Sequence, residues 1–267
     1  MIHSLSYVHP EAQIGENVTV EPFASISGDV IIGEGTKVFS NAVIMDGARI
    51  GKNCLVLPGA VIAGVPQDLK FKGEYTTVEI GDNTTIRECV TINRGTVAKG
   101  KTSIGSNCLV MAYVHIAHDC CIGNNCVLVS HSGLAGEVEV DDWAIISGGT
   151  LVHQFVRIGA HVMVAGGSKV RKDIPPFVKA GREPLAYIGV NSVGLRRRGF
   201  NNEKIYELQD IYRILYQSGM NHGDAIKRIE EDFADSAERS EVIRFVQKSK
   251  RGIMKGYIAA TGDSDED

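Results

Sequence analysis

Aliphatic residues recur at every sixth position along much of the chain. The series runs without a gap from Val8 to Ile62, returns from Ile80 to Ile92, and runs again from Ile104 to Val170. A period of six fits neither an α-helix, whose period is 3.6, nor an alternating strand, whose period is two. It is typical of hexapeptide repeats, which form a parallel β-helix. The pattern predicts a β protein, a triangular prism with three short strands per coil and aliphatic side chains inside.

A smaller residue recurs four positions after each aliphatic one, as at Ala24, Ala42 and Ala60. One large and one small inward residue per strand would fill a narrow prism. Four of the six cysteines take this small position, namely Cys54, Cys108, Cys120 and Cys126. Because no C-x-x-C pair is present, we expect buried free thiols rather than disulfides or metal ligands.

Two interruptions of the repeat predict loops that protrude from the prism. In the first, Asp68 and Glu74 stand where aliphatic residues are expected, which predicts a loop over about 63–79. The second predicted loop covers about 93–103. Loops on a rigid scaffold often carry binding groups. The repeat ends at Pro175-Pro176, since proline does not readily continue a strand ladder. We therefore expect the β-helix domain to span residues 1–176.

The rest of the chain has a different pattern. Residues 177–200 are rich in Gly and Arg and predict a connector. Apolar residues with helical spacing then predict a small α-helical domain over 201–258. Ser240 is the expected N-cap of its third helix. The acidic end, 259–267, is predicted to be a disordered tail.

Composition narrows the range of partners. The formal net charge is −4 and the sequence pI is near 6.1, which argues against nucleic acid as the main ligand. No apolar run approaches the length of a membrane span, so no stable membrane insertion is expected. The N-terminus does not have the pattern of a signal peptide, and we expect a cytoplasmic protein.

Candidate chemistry must lie outside the filled prism. His115 precedes an inward aliphatic residue and His153 follows one, so both side chains point outward. His118 and Asp119 fall at a corner between strands. Histidine titrates near neutrality and suits general acid–base catalysis, and a neighbouring carboxylate can orient the imidazole. The three histidines lie along one edge of the predicted prism, which makes that edge the candidate site.

Several short motifs together resemble the UDP-N-acetylglucosamine O-acyltransferase family of hexapeptide acyltransferases. They are HIAHDC at 115–120, QDLK at 67–70, VHQF at 152–155, NRGT at 93–96, GVN at 189–191 and RRGF at 197–200. The resemblance runs from about Val8 to Phe200 and implies a left-handed β-helix and a homotrimer. The implied reaction moves a 3-hydroxyacyl chain from acyl carrier protein to the 3-hydroxyl of UDP-N-acetylglucosamine, the first step of lipid A biosynthesis. It implies no cofactor and no metal.

The resemblance also implies roles for single residues. His118 is the expected general base, Asp119 its support, and the Gly136 N–H the oxyanion donor. The repeat adds support, because Gly136 follows His118 by three hexapeptides and so stacks one coil above it. The expected substrate-binding residues are Asp68, Lys70, His115, His153, Gln154, Asn191, Arg197 and Arg198. The Arg196–Arg198 cluster is expected to help dock the acidic carrier protein.

Two residues depart from the family pattern, and three rival interpretations of the function are considered. Glu137 and Asn93 stand where the family often has histidine, which affects contacts around the sugar and the acyl chain. A γ-type carbonic anhydrase would use His115, His118 and His153 as zinc ligands. Two further interpretations are a purely structural prism and a coenzyme A-dependent or N-acyl transferase. Metal analysis and donor preference discriminate between these functions.

Overall fold

The six-residue period corresponds to a stack of strands, each two to five residues long, whose periodic aliphatic residues point inward. A computed structural model describes residues 1–256. Ile26, Ile44 and Ile116 are each 0% exposed at the end of their strands. The three sheets run along the prism, and most neighbouring strands pair in parallel. The predicted fold class, a left-handed parallel β-helix followed by a small α-helical part, is confirmed.

Three sheets form the prism faces. The strands of the first are Tyr7–Val8, Ser25–Ile26, Val43–Ile44, Val61–Gly64, Thr91–Asn93, His115–Ile116, Gly133–Leu134, Leu151–Val152 and Lys169–Val170. Those of the second are Gln13–Ile14, Val30–Ile32, Ala48–Ile50, Thr77–Ile80, Lys101–Ile104, Cys121–Ile122, Glu139–Val140 and Arg157–Ile158. Those of the third are Thr19–Val20, Lys37–Val38, Leu55–Val56, Thr85–Ile86, Leu109–Val110, Val127–Leu128, Ile145–Ile146, Met163–Val164, Val178–Gly181, Ala186–Val190 and Lys255–Gly256.

The strand register explains why the period survives both interruptions. An ordinary coil pairs Val8 with Ile26, three hexapeptides along the chain. Across the first interruption Ile50 pairs with Ile80, which lies five hexapeptides along. Across the second, Ile80 pairs with Ile104, which lies four hexapeptides along. The first loop therefore inserts two extra hexapeptides and the second inserts one. Both loops leave the first sheet and re-enter the second, so they protrude from the same edge.

The prism interior is filled as the pattern predicts. Cys54, Cys108, Cys120 and Cys126 are buried free thiols, whereas Cys89 and Cys121 are exposed. The buried hydroxyl of Thr36 donates to Gly51 O at 2.8 Å and accepts from Cys54 N at 3.0 Å, so it needs no water. Catalytic and binding side chains must therefore lie at the edges or on the outer faces of the prism.

The predicted connector is more regular than expected. Val178–Gly181 pairs in parallel with Met163–Val164, so the third sheet continues past the two prolines. Ala186–Val190 then adds an antiparallel strand. The expectation that the ladder ends at Pro175-Pro176 holds for two sheets and is wrong for the third. Proline is tolerated here because it lies between strands rather than within one.

Up to residue 256, four helices follow, α1 Ser192–Arg197, α2 Asn202–Gln217, α3 His222–Asp232 and α4 Ala237–Lys248. Helix α4 begins one turn earlier than predicted, because the hydroxyl of Ser236, not Ser240, accepts the Arg239 N–H. Buried Tyr212 on α2 donates to Pro176 O at 2.6 Å and ties the helices to the last coil. No helix within residues 1–256 is long and apolar enough to cross a membrane. The predicted tail, 259–267, lies outside the described residues.

Candidate functional site

One edge of the prism, between the first and second sheets, collects most of the predicted site residues. Both loops protrude there, and the chain turns the same edge at His118-Asp119, at Gly136 and at Gln154. Asp119 adopts a φ of 60°, a left-handed conformation that Asp tolerates better than most residues. This turn brings its carboxylate back beside the preceding imidazole, with His118 Nδ1 and Asp119 Oδ2 2.8 Å apart. Sequence neighbours at a corner thus form a dyad.

Burial isolates the dyad from water. His118 is 8% exposed and Asp119 is fully buried. A buried carboxylate must be hydrogen-bonded, and the second loop supplies the donors. Oδ1 accepts the Thr96 N–H at 2.9 Å and the Lys99 N–H at 3.1 Å. Oδ2 accepts the Thr96 hydroxyl at 2.6 Å in addition to the imidazole.

These contacts decide the ionisation of Asp119. Burial acts to raise the pKa of the carboxyl, because it penalises the charged form. The hydrogen bonds from Thr96, His118 and the Lys99 amide oppose this, and the net result is a lowered pKa. Asp119 is therefore an anion that His118 Nδ1–H can donate to, which leaves Nε2 with a free lone pair.

Gly136 lies directly against that nitrogen. A Cβ placed at Gly136 would be 2.6 Å from His118 Nε2 and 2.5 Å from Cε1, so any side chain would collide with the ring. The Glu137 N–H donates to His118 O at 3.0 Å, which confirms the predicted stacking of the two corners. Within residues 1–256 the Gly136 N–H donates to no backbone carbonyl, whereas the N–H groups of Ala135 and Glu137 do. The fold thus leaves one backbone donor unused beside Nε2.

His115 and His153 flank the dyad on the first sheet. His115 is half-buried, its Nδ1 lies 2.7 Å from Thr91 Oγ1, and burial lowers its pKa. His153 is exposed, with Nδ1 3.1 Å from Gln154 O. The predicted outward direction of both is confirmed. Within residues 1–256 of one chain, no group of three or more His, Cys, Asp or Glu side chains is arranged to hold a metal ion.

The first loop carries Asp68 and Lys70. Asp68 Oδ1 accepts the Lys70 N–H at 3.0 Å, a local turn contact, and the Lys70 side chain is exposed. Asn93 is buried and ties the loops together by donating to Val65 O at 3.1 Å. Among residues 1–256, its buried Oδ1 has no hydrogen-bond partner. The loops therefore form one layer beside the dyad.

Asn191, Arg197 and Arg198 lie elsewhere in the chain, near the edge between the second and third sheets. Asn191 is buried, caps α1 by accepting the Gly194 N–H, and donates to His161 O at 2.9 Å. Arg198 lies over Trp143, 5.2 Å from the ring centroid. Arg197 is exposed. A single chain does not bring these three residues to the dyad.

Arg198 also helps to set the charge of His161. Its Nη1 lies 3.3 Å from His161 Nδ1. Burial, aided by the Arg198 charge, lowers the pKa of His161 to about 4, so this imidazole is neutral beside the guanidinium.

The groups that hold Asp119 have no clear signature in the sequence. Thr96 and the Lys99 amide lie in the second loop and carry no periodic signal. Thr102, whose Oγ1 accepts the Asp119 N–H at 2.8 Å, takes the small inward position two residues before Ile104, but the period does not indicate this contact. The one available signal is the NRGT motif, which supports the family resemblance without assigning a role to Thr96.

Profiles of known protein families match most of the chain. Residues 173–254 match the profile "Udp N-acetylglucosamine O-acyltransferase; Domain 2". Residues 101–136 match "Bacterial transferase hexapeptide (six repeats)", and residues 2–102 match "GMPPB C-terminal domain".

Relatives match almost the full length. An acyl-[acyl-carrier-protein]–UDP-N-acetylglucosamine O-acyltransferase from Thiobacillus denitrificans is 48% identical over 95% of this chain and 99% of its own. The crystal structure of a UDP-N-acetylglucosamine acyltransferase from Bacteroides fragilis 9343 is 52% identical, covers 96% of this chain and 100% of its own, and superposes with a TM-score of 0.94. The Francisella novicida enzyme is 39% identical, with 99% and 97% covered and a TM-score of 0.94.

Proposed function

The chain belongs to the UDP-N-acetylglucosamine O-acyltransferase family, and we propose that it moves a 3-hydroxyacyl chain from acyl carrier protein to the 3-hydroxyl of UDP-N-acetylglucosamine, the first step of lipid A biosynthesis. The single observation that carries the proposal is the buried His118–Asp119 dyad with Gly136 against Nε2. The names of the relatives supply the substrates, since geometry alone indicates only acyl transfer.

In the proposed mechanism His118 is the general base. Its Nε2 takes the proton of the sugar hydroxyl as the sugar oxygen forms a bond to the thioester carbonyl carbon. The tetrahedral intermediate then collapses, the C–S bond breaks, and His118 returns the proton to the departing thiolate. Asp119 stabilises the imidazolium in between. Such acid–base help is worth about 10²–10⁴-fold in rate.

The oxyanion needs a donor that the fold has left unused. The Gly136 N–H meets this need, because it makes no backbone hydrogen bond within residues 1–256 and lies beside Nε2. A preorganised donor of this kind is worth about 3–4 kcal/mol in the transition state. Both the base and the donor belong to rigid coils, so neither needs reorganisation during the reaction.

We assign His115, His153 and Gln154 to the nucleotide-sugar cleft, and Asp68 and Lys70 to the sugar and phosphate groups. The exposed Lys70 ammonium on a protruding loop suits a diphosphate. Asn191 contributes by fixing α1 rather than by direct contact, since it is 3% exposed and its amide bonds His161 O and the Gly194 N–H. The Glu137 and Asn93 side chains change the contacts around the sugar and the acyl chain and take no part in the side-chain hydrogen bonds of the dyad.

The exposed Arg197 is proposed to steer the acidic carrier protein. Arg197→Ala is then expected to raise the donor KM, and the effect should shrink as salt is added. Arg198 is less exposed to a docking protein because it packs on Trp143. An unchanged donor KM for Arg197→Ala contradicts this docking role.

A homotrimer completes the proposal. On the third sheet, four outward apolar residues follow one another on successive coils, Leu109, Val127, Ile145 and Met163, and Leu55 lies beyond Thr85 in the same column. Such an apolar stretch favours burial against another copy, and rings are the usual closed assembly. A neighbouring prism would also place its Arg197 and Arg198 edge beside this chain's dyad edge. The active site then lies between subunits.

The test is a transfer assay with purified protein, UDP-N-acetylglucosamine and 3-hydroxyacyl carrier proteins of several chain lengths. Wild type is expected to form the O-acylated sugar nucleotide, and His118→Ala to lose about 10²–10⁴-fold in kcat/KM with the assembly intact by sedimentation. Full activity of His118→Ala contradicts the mechanism. Stoichiometric zinc with no transfer would support a carbonic anhydrase instead.

A further inference from the structure

Three of the four hydrogen-bond donors to the Asp119 carboxylate come from the second loop. We infer that Thr96 is a positioning residue, which fixes the orientation of the Asp119 carboxylate and through it the proton on His118. The inference rests on the proposed function and deepens it. It gives the second loop a role in catalysis, because residues of this loop hydrogen-bond to Asp119 at the edge of the prism.

The contacts divide unequally between the two carboxylate oxygens. Oδ1 is held by two backbone amides, those of Thr96 and Lys99. Oδ2 is held by two side chains, the Thr96 hydroxyl at 2.6 Å and the His118 imidazole at 2.8 Å. Thr96 is the residue that contacts both oxygens. Rotation of the carboxylate about its Cβ–Cγ bond would break all four hydrogen bonds, so Thr96 locks the plane in which Oδ2 meets the imidazole.

The direction of the Thr96 hydroxyl proton is also fixed. Its Oγ1 accepts the Ala98 N–H at 3.2 Å, so the hydroxyl proton is left for Asp119. Thr96 O in turn accepts the Gly100 N–H at 2.7 Å, and Gly100 O accepts the Thr77 N–H at 3.1 Å. The loop is therefore a closed turn anchored on the second sheet, and Thr96 is only 5% exposed.

This arrangement controls which nitrogen of His118 carries the proton. An anionic Oδ2 held 2.8 Å from Nδ1 favours the tautomer with the proton on Nδ1, which leaves Nε2 free to act as the base. Without the Thr96 donors, the Asp119 carboxylate would be free to rotate about its Cβ–Cγ bond. Its electrostatic support of the His118 imidazolium would then weaken. Thr96 then affects the rate without touching the substrate.

The first readout is independent of activity. The ring nitrogens of histidine-labelled protein are observed by nitrogen-15 NMR at neutral pH, and those of His118 are assigned by their absence in His118→Ala. Thr96→Val is isosteric and removes the hydroxyl, so the fraction of His118 with its proton on Nδ1 is expected to move part of the way toward the fraction in Asp119→Asn. Thr96→Ser keeps the hydroxyl and should remain near wild type.

Thr84 offers a matched control for stability. It is also a buried threonine, whose Oγ1 donates to Gly105 O at 2.8 Å and accepts from Cys108 N at 3.2 Å, inside the prism. Thr84→Val is expected to lower Tm without changing the His118 tautomer. If Thr96→Val fails to assemble, Thr96→Ala removes the same hydroxyl without placing a methyl against the carboxylate.

Kinetics give the second readout. Thr96→Val is expected to lower kcat about 10–100-fold, the size of effect seen when a hydrogen bond that orients a functional side chain is removed, with little change in the KM of the sugar nucleotide. In an Asp119→Asn background the same substitution should add almost nothing. Multiplying effects in the double variant, or an unchanged His118 tautomer in Thr96→Val, would overturn the inference. Absence of transfer by wild type would instead overturn the proposed function, while the NMR result still reports on Thr96.

Discussion

The two loops leave the same edge of one prism, yet they serve it in opposite ways. The first inserts two hexapeptides, and its tip residue Leu69 is fully exposed while Tyr75 is 73% exposed. The second inserts one hexapeptide and folds inward, with Thr96 5% exposed against Asp119. The first loop presents side chains outward, and the second uses mainly backbone amides to hold a buried charge. Loop position on a repeat scaffold therefore does not by itself predict loop function.

The largest difference between the loops is expected when their carboxylates are neutralised, Asp119 beside the second loop and Asp68 on the first. Asp119→Asn keeps the shape but removes the charge that supports His118. We expect kcat to fall about 10²–10⁴-fold, measured with saturating substrates in the transfer assay. Near-normal kcat in a correctly assembled Asp119→Asn protein would show that the second loop holds a merely structural charge.

The matched change on the first loop should act on binding. Within the described part of the chain, the Asp68 side chain accepts one hydrogen bond, a local turn contact from the Lys70 N–H. Asp68→Asn is expected to raise the KM of the sugar nucleotide by roughly tenfold, equivalent to about 1.4 kcal/mol, while kcat stays near wild type. A fall in kcat as large as that of Asp119→Asn would make the two loops equivalent and contradict the comparison.

Stability at low pH offers a smaller contrast. The lowered pKa of Asp119 means that its carboxylate stabilises the fold above the unfolded value of about 3.9 and loses this effect as pH falls through the lower folded pKa. The Tm gap between wild type and Asp119→Asn should therefore be constant above about pH 5 and narrow below about pH 4. Scanning calorimetry measures this gap, and a gap that widens on acidification would have the wrong sign.

The smallest effect is expected at the Lys99 side chain. Its backbone N–H binds Asp119, whereas its ammonium pairs with Glu139 at 3.0 Å on a partly exposed surface. Lys99→Ala keeps the amide, so we expect less than about 1 kcal/mol of lost stability and nearly unchanged kcat. Loss of activity in this variant would indicate that the side chain, not the backbone, carries the second loop's task. Urea unfolding and the transfer assay together decide this.

Periodicity explains how much of the molecule is predictable from its sequence. The six-residue series predicts the prism, the inward cysteines, and the stacking of Gly136 on His118, because residues three hexapeptides apart occupy equivalent places on successive coils. A loop that breaks the period carries no such register. The contacts of Thr96 and of the Lys99 amide with Asp119 depend on turn conformations that the period does not encode.

Errors in the sequence-based predictions have the same origin. The predicted connector contains two strands and α1, since backbone pairing across Pro175-Pro176 depends on tertiary geometry and not on local propensity. The α4 N-cap is one turn away from the expected serine, because Ser236 and Ser240 are equally suitable locally. The role of Asn191 as a helix cap that anchors α1 to the prism likewise has no signal in the six-residue series.

The tautomer of His118 tests the central claim most directly. Nitrogen-15 NMR of histidine-labelled protein at neutral pH, assigned with His118→Ala, distinguishes a protonated from an unprotonated ring nitrogen. With Nδ1 2.8 Å from the anionic Asp119 and Nε2 against Gly136, we expect a proton on Nδ1 and a bare Nε2. A neutral His118 that carries its proton on Nε2 would have no lone pair for the sugar hydroxyl and would contradict the account.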